Sequence, residues 1–92
     1  MILSFKCAET RQLFETGASR RWSAILNVAT RKLVMLNAVV ELRDVRSPPG
    51  NRLEPLHGDR DGQYSIRIND QWRLCFVWTD AGPKDVEIVD YH

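Results

Sequence analysis

The chain has 92 residues, 43% of them hydrophobic, which fits one domain over 1–92 and leaves hardly any room for a second. Its net charge is only +1, too small for a protein that coats nucleic acid through many phosphate contacts. Cys7 and Cys75 match no metal or redox spacing and are too few for a secreted disulfide scaffold, so they read as free thiols in a reducing cytosol.

The first element, "MILSF", reads as a short strand, too briefly apolar for a signal peptide. No later stretch approaches the ~20 apolar residues that span a bilayer, so a soluble cytoplasmic protein is expected. "AETRQLFET" reads as a short helix anchored by Leu13 and Phe14, with Gly17 placed to end it in a left-handed cap. Ser19 can then cap the next helix. There Trp22, Ile25, Ala29, Leu33, Leu36 and Val40 recur three and four apart, drawing one apolar stripe along a helix of residues 20–43. Arg20, Asn27, Arg31 and Lys32 fall mostly off the stripe, as a solvated face or as a binding face for an acidic partner. Leu26, Val28, Met35 and Val39 also lie off it and could extend the core or serve a partner.

"RSPPGN" cannot continue a helix and forms a hinge, after which the hydrophobic period changes to two. "NRLEPLHGD" is a short or edge strand, because Pro55 does not suit a central one. "DRDG" is a turn with Gly62 available for positive φ. "QYSIRI", "WRLCFVW" and "DVEIVDY", separated by "NDQ" and "TDAGPK", read as an antiparallel meander. The expected fold class is α+β: an N-terminal strand and two helices packed on one face of a mainly antiparallel sheet. Charge is split between the halves, +4 over residues 1–40 and −3 over residues 41–92.

The central hairpin can be solved from its alternation. Tyr64, Ile66 and Ile68 share one face of the first strand, and Trp72, Leu74, Phe76 and Trp78 share one face of the second. Apolar residues must meet in register. Only a three-residue turn, Asn69-Asp70-Gln71, pairs Ile68 with Trp72, Ile66 with Leu74 and Tyr64 with Phe76. The same register sets Arg67 opposite Arg73 on the uncovered face, where like charges cost roughly 0.2–1 kcal/mol. Either nearby carboxylates such as Glu87 neutralise the pair, or the pair awaits an anion such as phosphate. If Val86 and Ile88 face the core, Glu87, Val89 and Tyr91 share the arginine side, with His92 just beyond. Arginine can hold a phosphate while tyrosine, histidine and carboxylate move protons; an ordinary polar strand end is the alternative.

The stretches "LEPLHGDRDGQYSIRIND", "WRLCFVW" and "VEIVDYH", in the order strand–helix–helix–meander, resemble the HigB toxins of the RelE superfamily across essentially the whole chain. The resemblance implies the toxin of a type II toxin–antitoxin system: a ribosome-dependent mRNA endonuclease that enters the A site. It implies attack of the ribose 2′-OH on the adjacent phosphate, with no metal and no cofactor. Arg73 matches the family arginine that stabilises the transition state, and Asp90, Tyr91 and His92 match the terminal active-site residues. Some relatives carry a histidine where this chain has Glu54 and a lysine where it has His57, so either residue could take the first proton. Arg52, Arg60 and Arg67 are candidate RNA contacts. The implied partners are the 70S ribosome with its mRNA and a HigA-like helix-turn-helix antitoxin, through which alone operator DNA is reached. The substitution at Glu54 also raises an alternative: a weakened toxin-like subunit acting mainly in an autorepression complex.

Overall fold

Side-chain alternation builds the sheet, broken by one register shift between Cys75 and Val77 where the last two strands pair. In the computed structural model, which describes residues 1–90, β1 (Glu54–Pro55), β2 (Gln63–Arg67), β3 (Trp72–Thr79) and β4 (Gly82–Asp90) form an antiparallel sheet in the order β1-β2-β3-β4. Tyr64 lies opposite Phe76, Ile66 opposite Leu74 and Arg67 opposite Arg73, as the alternation requires. The Ile68 N–H donates to the Trp72 carbonyl at 3.0 Å, leaving Asn69-Asp70-Gln71 as the expected three-residue turn. Asn69 Oδ1 accepts the N–H groups of Gln71 at 2.9 Å and Trp72 at 2.8 Å, a side-chain mimic of a backbone turn.

The next hairpin is tighter than expected. β4 starts at Gly82, opposite Thr79, and only Asp80-Ala81 turns the chain. Thr79 Oγ1 accepts the N–H groups of Ala81 and Gly82, each at 3.2 Å. Pro83 is tolerated in this strand because its carbonyl is what the structure uses: it takes the Leu3 N–H at 2.8 Å. The N-terminal strand is reduced to a single parallel bridge between Phe5 and Val86. Two further bonds, Val86 N–H to Ser4 at 3.1 Å and Lys6 N–H to Val86 at 3.0 Å, hold this segment beside β4.

α1 (Ala8–Thr16) ends where Gly17 adopts φ 72°, returning its N–H to the Leu13 carbonyl at 2.8 Å. Ser19 Oγ accepts the Trp22 N–H at 3.1 Å, but it opens a 3₁₀ turn (Ser23–Ile25) and not an α-helix. The expected helix over residues 20–43 is therefore corrected. α2 covers only Leu26–Ala38, Val39 is extended, and a second 3₁₀ turn covers Leu42–Arg46. β-Branched Val39 and Val40 favour extended backbone. The side chains of Glu41 and Asp44 then cap each other's backbone reciprocally and start the new turn. Val40, the last residue of the expected stripe, is 82% exposed.

The rest of the stripe does form the core. Leu13, Trp22, Ile25, Ala29, Leu33 and Leu36 pack with Ile66, Leu74, Phe76, Val86 and Ile88, so both helices cover one face of the sheet. Leu26, Val28, Met35 and Val39 are half-buried against the same cluster and extend it. Each fully buried large aliphatic or aromatic side chain contributes roughly 1.5–3 kcal/mol. Among the described residues, no helix is long and apolar enough to cross a membrane.

Candidate active site

The strand period lifts Ser65, Arg67, Arg73, Cys75, Glu87 and Val89 onto the face away from the helices. This face is not uncovered, contrary to expectation: Ser65, Arg73 and Cys75 are buried. Charged side chains close over it in pairs. Arg73 Nη2 lies 2.8 Å from Glu54 Oε1, and Nη1 donates to Ser65 Oγ and to the Arg52 carbonyl, both at 3.3 Å. Arg67 pairs with Asp70 from the hairpin turn. Arg60 Nη1 reaches Glu87 Oε1 at 2.7 Å and Gln63 Oε1 at 3.2 Å. The two facing arginines are thus neutralised by Glu54 and Asp70, while Glu87, the expected partner, serves Arg60.

The electrostatics follow from these contacts. The hydrogen bond it donates to Glu87 holds the Arg60 guanidinium above its ordinary range, against the effect of burial. Burial pushes the Cys75 thiol up to about 11, a rise the neighbouring Arg60 charge opposes. Cys75 is therefore a protonated filler beneath the ion pairs and not a nucleophile.

Beside Arg73 the surface dips into a cleft of about 120 Å³ lined by Arg52, Arg67, Asn69, Asp70 and Arg73. Three arginines line it, a residue type suited to planar, bidentate phosphate recognition. Arg52 holds φ 47°, a left-handed conformation that costs a non-glycine residue roughly 1–3 kcal/mol. In this conformation its carbonyl meets Arg73.

The structure brings Arg52, Arg67, Arg73 and Glu54 together. Glu54 Oε1 is sealed from solvent against Arg73, yet the side chain as a whole is 42% exposed. Arg60 lies farther along the same face, with Glu87 and Cys75. His57 is exposed and does not line the cleft. Asp90 stands opposite Trp72, one position out of phase with Val89 and Arg73, and accepts a hydrogen bond from Gln71 Nε2 at 3.3 Å. Tyr91 and His92 lie outside the described residues. Ser65, Asn69, Asp70 and the Arg52 carbonyl were not foreseen as parts of the site. Only Ser65 carried a usable signal, since its alternation sets it on the arginine side. Among the described residues, no three His, Cys, Asp or Glu side chains gather as a metal would require.

The helix-covered antiparallel sheet has the RelE-like toxin fold. It aligns with the crystal structure of a YafQ mutant from E. coli at a TM-score of 0.63, with 16% sequence identity over 98% of this chain and 91% of that one. Residues 3–92 match the model of the HigB-like toxins, described as the RelE-like toxin of type II toxin–antitoxin system HigB, and the chain belongs to that family. It is 44% identical over 83 residues to Toxin HigB-1 of Vibrio cholerae serotype O1, covering 88% of this chain and 87% of that one. It is 29% identical over 98 residues to Endoribonuclease HigB of Proteus vulgaris, covering all of both chains.

Proposed function

We propose that this toxin is a ribosome-dependent endoribonuclease that cuts mRNA in the A site and so inhibits translation. The observation that carries this reading is Arg73. It is only 7% exposed, and Glu54, Ser65 and the Arg52 carbonyl hold it at the edge of a cleft with two further arginines. The name of the Proteus vulgaris relative supports the reaction class.

In the proposed reaction the 2′-oxygen forms a bond to phosphorus and the bond from phosphorus to the 5′-oxygen breaks. The products are a 2′,3′-cyclic phosphate and a 5′-hydroxyl. DNA lacks the nucleophile and is spared. Negative charge gathers on the non-bridging oxygens, where Arg73, with Arg67 and Arg52, stabilises it. The 2′-OH proton passes to a base and the departing 5′-oxygen takes one from an acid. Glu54 is the favoured base, because its carboxylate lies one guanidinium away from the phosphate; His57 is the second candidate. His92 is assigned as the acid, Tyr91 as a stacking or hydrogen-bonding contact to the nucleotide, and Asp90 as the group that orients its neighbours. Arg60 contacts RNA farther along. A HigA-like helix-turn-helix antitoxin neutralises the toxin in the cytoplasm, and operator DNA is bound only through their complex.

A second reading draws on the same ion pair. Glu54 occupies donors on Arg73 that a phosphate needs, and a chain in which it stayed there would be a weakened toxin serving mainly in the autorepression complex. Purified protein added to ribosomes programmed with a defined mRNA separates the two, with 5′ ends mapped by primer extension. Cleavage at the A-site codon, lost in Arg73→Ala and on deletion of His92, is expected. Intact mRNA at saturating protein would overturn the nuclease and leave the second reading.

A further inference from the structure

Lys32 lies on α2 among the basic residues that fall off the apolar stripe. Its Nζ donates to Asn51 Oδ1. Asn51 is fully buried, and its Nδ2 donates to the carbonyls of Val45 at 3.0 Å and Ser47 at 3.2 Å, so its amide is locked with the oxygen toward Lys32. The following residue is Arg52, which lines the cleft. A buried amide thus ties the Lys32 amine to the segment that carries Arg52, one of the residues lining the arginine cleft.

The electrostatic setting of Lys32 differs from that of the three ion-paired arginines on the sheet face. Arg60, Arg67 and Arg73 each have a carboxylate partner, whereas among the described residues Lys32 has none within ion-pair reach. Burial, then the charges of Arg31 and Arg67, hold its ammonium below the ordinary lysine range. A half-buried cation set beside other cations costs stability, and an anion placed among them removes that cost.

We infer that Lys32 is a further phosphate contact, holding the RNA phosphodiester adjacent to the one gripped by Arg73. Lysine binds phosphate as a point charge, which suits a backbone contact without base preference. This inference rests on the ribonuclease reading, and its test keeps the two separable.

Lys32→Gln keeps a donor for Asn51 and removes the charge; Lys32→Arg restores the charge. On programmed ribosomes Lys32→Gln should lower kcat/KM about tenfold, the order expected of one charge-assisted contact, and Lys32→Arg should recover most of it. An mRNA carrying a neutral methylphosphonate beside the scissile phosphate should cost the wild type a similar factor and Lys32→Gln nothing further. Wild-type cleavage by Lys32→Gln, or losses that combine in full, would overturn the inference while leaving the nuclease intact. Retained cleavage in Arg73→Ala would instead overturn the proposed site. Should the wild type leave mRNA uncut, binding to a single-stranded RNA hexamer judges Lys32 alone. There Lys32→Gln must flatten the log–log salt slope by about 0.7, and an unchanged slope sinks the contact.

Discussion

Arg73 has given up most of its hydration, so its partners determine what it can do. Glu54 is the counter-ion a phosphate must displace, and the proposed base. Glu54→Gln should therefore tighten RNA binding while lowering the single-turnover cleavage rate by about 10²- to 10⁴-fold. Equal cleavage with tighter binding would move the base role to His57. Arg52 offers a second residue-scale experiment, since its strained φ and its guanidinium are separable. Arg52→Gly should stabilise the fold by about 1 kcal/mol in denaturant titration while reducing cleavage as much as Arg52→Ala does. The opposition of Arg67 and Arg73 was legible in the sequence, because side-chain alternation fixes it without reference to the rest of the fold. Their carboxylate partners were not. Asp70 sits in a turn and Glu54 on a two-residue strand, and alternation says nothing about which loop side chain folds back.

The elements show where local pattern and backbone part company. The apolar spacing runs on through Val40, yet α2 stops at Ala38, because the pattern records which residues are apolar and not whether the helix persists. A "VELRD" stretch, with carboxylates three apart, was the available sign of a new cap. At α2's end Asn37 Oδ1 accepts the Ile2 N–H at 2.9 Å, so this helix also fastens the N-terminal segment. Gly82 is the opposite clamp: a Cβ there would stand 2.4 Å from the Met1 carbonyl oxygen, at φ 136°. Gly82→Ala should cost roughly 1–3 kcal/mol. It should also speed amide exchange at Leu3, Lys6 and Val86, whose N–H groups make the bonds between this segment and β4. Protection there equal to wild type would show that the clamp is dispensable.

For the molecule as a whole, pH and salt report the burial of charge. Cys75 ionises at about 11 in the folded state against 9.0 ordinarily. Between those values the folded chain keeps a proton that the unfolded chain releases. Stability is therefore full below pH 9.0 and falls as pH rises toward about 11. Urea titrations across that range should show the decline, and Cys75→Ala should flatten it. Net charge +1, with the arginines of the site largely paired, leaves a weak far field. Binding to free single-stranded RNA should show a salt slope no steeper than about −3, the mark of a few local contacts.

The bridge between Phe5 and Val86 also bears on when the protein becomes complete during synthesis. Ser4 is made early, yet its carbonyl and hydroxyl are satisfied by the N–H groups of Val86 and Asp85 from the other end of the chain. At about 5–20 residues per second, roughly 4–16 s separate these partners at the ribosome. Until β4 emerges, the sheet lacks both an edge strand and the Glu87 that pairs with Arg60. A nascent toxin therefore cannot assemble its charged face while the ribosome making it is still at work on that strand.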